Sequence, residues 1–98
     1  MKNKKTEIIV LETTQKKEYV KYYPNSISLK QMQDIVGGSI ELLYVHDDIF
    51  MVLNEEGLIR NFKVNQLANQ YLKKNMPKMA HLYQIVGDVF LIQNKFLN

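Results

Sequence analysis

Apolar positions along the chain change period several times, and each change marks an element. Glu7-Ile-Ile-Val-Leu-Glu12 is a β-branched run between charges and reads as a strand. Polar Thr13 to Lys17 reads as a turn. Glu18-Tyr-Val-Lys-Tyr-Tyr23 resumes the strand pattern, and Pro24-Asn25 closes it. Residues 1–6 ahead of this hairpin are expected to be disordered. Next, Ser28 and Gln31 form a capping box, and Ile27 and Met32 occupy the two ends of a hydrophobic staple. Leu29, Met32, Ile35 and Val36 share a helical face, and Gly37 stands where a left-handed terminating residue is wanted. Beyond Gly38, Ile40 to Val45 and Ile49 to Leu53 are strands around the turn His46-Asp47-Asp48. A further turn, Asn54 to Gly57, with a positive φ at the glycine, leads to a third strand over Leu58 to Phe62.

Val64, Leu67, Ala68, Tyr71 and Leu72 recur at helical spacing, and Asn75 and Pro77 end that helix. Met76 to His81 reads as a mobile connection. Leu82 to Val86 and Val89 to Ile92 flank Gly87-Asp88 as a tight hairpin or, preferably, as one strand with a glycine bulge. Phe96 and Leu97 are placed to anchor the C-terminus. The pattern therefore predicts a single α+β domain over residues 1–98, with a mostly antiparallel sheet of about five or six strands and two helices.

Composition narrows the function classes. The chain has no cysteine, which removes disulfides, thiolate metal sites and thiol catalysis, and fits a cytoplasmic protein. No apolar run approaches the roughly 20 residues that cross a bilayer, so no membrane association is expected. Ile8 to Leu11 is too short for a signal-peptide core. The net charge of +3 comes from 12 Lys and one Arg against ten acidic residues. A single Arg60 supplies little bidentate phosphate or base recognition, so the lysine excess reads first as solubility.

The chemistry-bearing groups are sparse. His46, Asp47 and Asp48 sit in one turn and Glu55 and Glu56 in the next, a strand length apart in a meander. The plain turn reading is preferred to a metal or hydrolytic site there. No positioned acid–base pair is visible, so no catalytic residue, metal ligand or cofactor is expected, and the protein is read as a non-enzyme. The glycines at 37 and 38 end a helix instead of opening one, at the wrong end of the dipole for a phosphate. Lys16, Lys17, Lys21, Tyr22 and Tyr23 form the best candidate for binding a ligand or nucleic acid, by base stacking and phosphate contact. The plainer alternative is an edge strand guarded by lysines. Surplus apolar residues, above all Phe50, Val52, Val89 and Leu91, suggest a face for a homo-oligomer, unless the N-terminal hairpin covers them.

Several segments in order carry a family resemblance: Leu29-x-x-Met-Gln-x-Ile-Val-Gly-Gly-x-Ile-Glu41, Met51-Val-Leu-Asn-Glu-Glu-Gly57, Asn65-x-Leu-Ala68 and Ile85-Val-Gly-Asp-Val89. Over residues 27–92 the chain resembles the domain of unknown function 3846 family. Two departures stand out: a long segment between Ala68 and Ile85, and Phe62-Lys63-Val64 in place of a proline-rich stretch. The resemblance implies a small protein of phages, plasmids and their bacterial hosts with no established enzymatic activity. Three expectations stay open. The first is a binding module that sequesters a host protein or a nucleotide-like ligand, with a counter-defence role. The second is a nucleic-acid-binding accessory protein. The third, more remote, is a small hydrolase.

Overall fold

A computed structural model describes residues 5–97. Five strands, β1 (Thr6–Glu12), β2 (Lys17–Tyr23), β3 (Ile40–His46), β4 (Ile49–Asn54) and β5 (Val89–Gln93), form one sheet. Two helices, α1 (Leu29–Val36) and α2 (Gln66–Asn75), complete the α+β domain, with short 3₁₀ turns at Ala80–Leu82 and Asn94–Phe96. The strand order is β2-β1-β5-β4-β3, and every pairing is antiparallel.

The local signals set α1 as expected. The Ser28 side chain accepts from the Gln31 N–H at 3.0 Å, and the Gln31 carboxamide accepts from the Ser28 N–H at 2.8 Å. Gly37, at φ 83°, terminates the helix, and its N–H and that of Gly38 both donate to the Gln33 carbonyl. The β3–β4 turn is equally local. Asp47 and Asp48 carry φ of 46° and 61°, the paired left-handed geometry of a two-residue hairpin turn, which aspartate tolerates better than most residues.

Alternation along the strands sends side chains to two faces, each with its own core. Ile8, Val10, Val52, Phe90 and Ile92 pack with Val36 under α1. Leu11, Met51, Val89 and Leu91 pack with Ala68 and Leu72 under α2. The two helices thus lie on opposite sides of the sheet. This corrects the expected oligomer face. Val52 and Val89 are 0% exposed and Leu91 5%, and the half-buried Phe50 packs with Val52 under α1, while Val89 and Leu91 face α2. The surplus is consumed inside the chain because each face of the central strands has a helix of its own.

Three further expectations change. Thr6, expected among disordered residues, opens β1 and is buried, its hydroxyl donating to the Asn25 carbonyl at 3.0 Å; residues 1–4 of that segment lie outside the described residues. No strand forms over residues 58–62. The Asn54 side chain accepts from the Glu56 N–H at 2.7 Å, turning the backbone into a compact loop closed by Phe62 N–H to the Gly57 carbonyl. Gly57 is not at positive φ; its role is space, since a Cβ there would meet Val86 Cγ2 at 2.8 Å. Nor does Leu82 to Val86 join β5 as a bulged strand. Gly87, at φ 77°, breaks the line, and Val86 keeps one isolated bridge to Val64. The backbone of Ile85 is satisfied by a side chain: Asn69 accepts from its N–H at 3.0 Å and donates to its carbonyl at 2.9 Å, taking the place of a neighbouring strand.

Asn65 joins these pieces. It is fully buried and caps α2, accepting from the Ala68 N–H at 2.9 Å. Its amide nitrogen donates to the carbonyls of Leu11 at 2.9 Å and Gly87 at 2.8 Å. One side chain thereby fixes the helix start to the end of β1 and to the approach to β5.

Candidate functional site

At ten residues α2 is only about 15 Å long, and it runs obliquely from the end of β1, where Asn65 bonds Leu11, to β3, where Tyr71 meets His46, so part of this face is left uncovered. Beside it the sheet is open, and the gap is a cleft of about 710 Å³. Its floor is apolar, with Ile9 from β1, Leu91 from β5 and Ile49 from β4. Leu67, Gln70, Tyr71 and Lys74 of α2 form one wall, and Glu7, Glu18 and Gln93 rim the opposite side.

One end of the cleft carries a chain of polar contacts. His46 Nε2 lies 2.7 Å from the Tyr71 hydroxyl, and His46 Nδ1 lies 3.0 Å from Asp47 Oδ2. The two rings lean together with centroids 5.7 Å apart. Burial raises the Tyr71 hydroxyl above its ordinary pKa, and the carboxylates of Asp47 and Glu18 add to the shift. Tyr71 therefore holds its proton, and His46 links its hydroxyl to the Asp47 carboxylate through the two ring nitrogens. The hydrogen-bonded chain orients groups; it does not generate a phenolate nucleophile. The same carboxylates make this end of the cleft electronegative.

The residues singled out in the sequence are not gathered into one site. Register places Lys17, Lys21 and Tyr23 on the α1 side of β2, with Tyr19 between the lysines, whereas Tyr22 faces the α2 side beside Glu7. Lys16 sits in the β1–β2 turn at φ 51°. The ammonium groups lie over neighbouring rings, Lys17 at 5.6 Å from the Tyr19 centroid and Lys21 at 5.4 Å from that of Tyr23. The turn carboxylates of residues 47–48 and 55–56 stand at opposite ends of β4, and among the described residues no three His, Asp or Glu side chains converge as a metal site would need.

The fold and the cleft can be set against known families. The family model for a Domain of unknown function (DUF3846) matches residues 4–95, nearly the whole chain. The chain belongs to the DUF3846 family. No curated protein and no solved structure matches it. In this DUF3846 protein the motifs that carry the resemblance are architectural: Gly37 ends α1, Asn54 to Gly57 makes the loop, and Asn65 caps α2. The cleft residues Ile9, His46 and Tyr71 lie outside those motifs. Among the described residues no helix is long and apolar enough to cross a membrane. Sequence reasoning missed the pairing of His46 with Tyr71, because only the packing of α2 brings them together.

Proposed function

We propose that this DUF3846 protein is a non-enzymatic binding module that sequesters a host protein by seating a segment of it in the cleft beside α2. The Asp47–His46–Tyr71 chain at the end of an apolar floor carries the reading. Ligand clefts of about 300–1,000 Å³ typically combine apolar walls with a few fixed polar groups, and this one has that makeup. The electronegative end disfavours a nucleotide-like ligand, whose phosphates would face Asp47 and Glu18. In the phage and mobile-element setting implied by the family resemblance, capture of a host protein in the cytoplasm suits a counter-defence role. A photo-crosslinking residue at Gln70, on the cleft wall, tests this in host cells. One defined partner captured from Gln70 and not from exposed Lys30 of α1, on the other side of the sheet, is the expected result; equal capture from both positions, or from neither, refutes it.

A second reading is nucleic-acid binding by β2, favoured by exposed Lys17, Tyr19 and Lys21 sharing a face with half-buried Tyr23. It requires a gel-shift affinity for single-stranded DNA or RNA that falls steeply with salt. The Lys–Tyr contacts compete with it, because a lysine lying over a ring occupies the surface on which a base would stack.

A further inference from the structure

Resting on the cleft reading, we infer that the segment it accepts is extended and basic, with positive side chains at positions i and i+4 around an apolar side chain at i+2. Glu7 and Glu18 give the spacing. Glu18 pairs with Leu11, four residues along β1 from Glu7, so the two carboxylates stand roughly 13 Å apart along the strand at about 3.3 Å per residue. Between them, on the same face, lie Ile9 and its cross-strand partner Val20. Val20 is 46% exposed, and Ile9 forms part of the cleft floor. This side of the cleft therefore reads carboxylate, apolar, carboxylate.

An extended chain repeats its side chains on one face every second residue, so a basic–x–apolar–x–basic segment matches that order. Tyr22, 60% exposed and paired with Glu7, extends the apolar shelf and offers an aromatic face to one of the cations. Lys74 on the α2 wall is the opposing charge. With Glu7 and Glu18 on the other side, two carboxylates line the cleft against one ammonium, and the balance favours a cation. An acidic segment would meet like charge at both ends.

The direct test is titration of isotope-labelled full-length protein with four synthetic pentapeptides, read by amide shifts. The probes are Lys-Thr-Val-Thr-Lys, Glu-Thr-Val-Thr-Glu, the uncharged Thr-Thr-Val-Thr-Thr, and Lys-Lys-Thr-Val-Thr as a spacing control. The first should bind most tightly, shift the amides of Ile9, Val20 and Tyr71, and weaken as salt is added. The double variant Glu7→Gln and Glu18→Gln should lower its affinity about tenfold, as loss of two exposed ion pairs implies, and leave the uncharged peptide unaffected. Both glutamates are exposed, so the variant folds as the parent does. Equal or tighter binding of the acidic or mis-spaced peptide, or no binding of any, overturns the inference. Crosslinking from Gln70 that persists in that event means the cleft is used for a different chemistry; its loss as well removes the cleft reading itself.

Discussion

Asn65→Ala removes a fully buried side chain that makes three hydrogen bonds, and its cost can be worked out contact by contact. Loss of an asparagine N-cap destabilises a helix by about 1 kcal/mol. The amide also supplies donors to the Leu11 and Gly87 carbonyls from a fully buried position. A buried acceptor deprived of its donor costs about 1–3 kcal/mol, and partial relaxation puts the two together near 2 kcal/mol. The expected total is about 3 kcal/mol, a large fraction of the roughly 5–15 kcal/mol that holds a domain folded. For a chain of this length that lowers Tm by about 12–24 °C. Urea unfolding should show the loss in the midpoint with an unchanged slope. Asn65→Ser separates the contributions: its hydroxyl can still accept from the Ala68 N–H, so it should recover about 1 kcal/mol relative to alanine. A loss below about 1 kcal/mol for Asn65→Ala would show that the three contacts do not act as a junction.

Other perturbations address the loop, the cleft and the sheet edge. Gly87→Ala should destabilise by more than about 2 kcal/mol in thermal unfolding, since it combines φ 77° with a Cβ 2.6 Å from Phe62 Cδ2; Gly57→Ala, which has only the steric conflict, should cost less. Tyr71 should titrate above its usual 10.0 when followed by phenolate absorbance, and Asp47→Asn should bring it down. Because the folded-state value is the raised one, the stability linked to Tyr71 is complete below pH 10 and declines as pH rises towards that value; unfolding measured from pH 9 to 11 checks the sign. Leu42→Lys should leave Tm nearly unchanged and raise the concentration at which light scattering detects association. Leu42 and Tyr44, 47% and 51% exposed, lie on edge strand β3, which has none of the lysines that guard β2.

What was legible in the chain was local. The α1 boundaries follow from Ser28, Gln31 and Gly37, whose hydrogen bonds all lie within a few residues. The two hairpins follow from turn chemistry at residues 13–17 and 46–48. Where side chains replaced backbone partners, the pattern misled. Leu82 to Val86 has strand composition, yet Asn69 satisfies Ile85 and no ladder is needed. Leu58 and Ile59 look like strand residues, yet Asn54 has already turned the chain, and Ile59 is left 86% exposed. Periodicity also could not say that α1 and α2 take opposite faces, and the misplaced oligomer surface followed from that. The cleft depends on the same fact. His46 and Tyr71 are 25 residues apart and meet only once α2 lies on the face to which Ile9 and Leu91 point.

The asymmetry between the two faces is the strongest reason to place function on the α2 side. Under α1 the core is completed by Ile27 before the helix and by Phe96 and Leu97 at the C-terminal end, so short flanking segments extend the cover that one eight-residue helix provides. Under α2 the chain that follows the helix adds Met76, Ala80, Tyr83 and buried Ile85 to the core, but none of these lines the cleft. Ile9 and Ile49 are consequently left half-buried at the floor of an open cleft. Covering them would add stability at about 25 cal/mol per Å² of apolar surface, and a small domain has little stability to forgo. An apolar floor left open, yet bordered by a fixed Asp47–His46–Tyr71 chain and two spaced carboxylates, is better accounted for by a ligand that completes the packing than by incomplete folding.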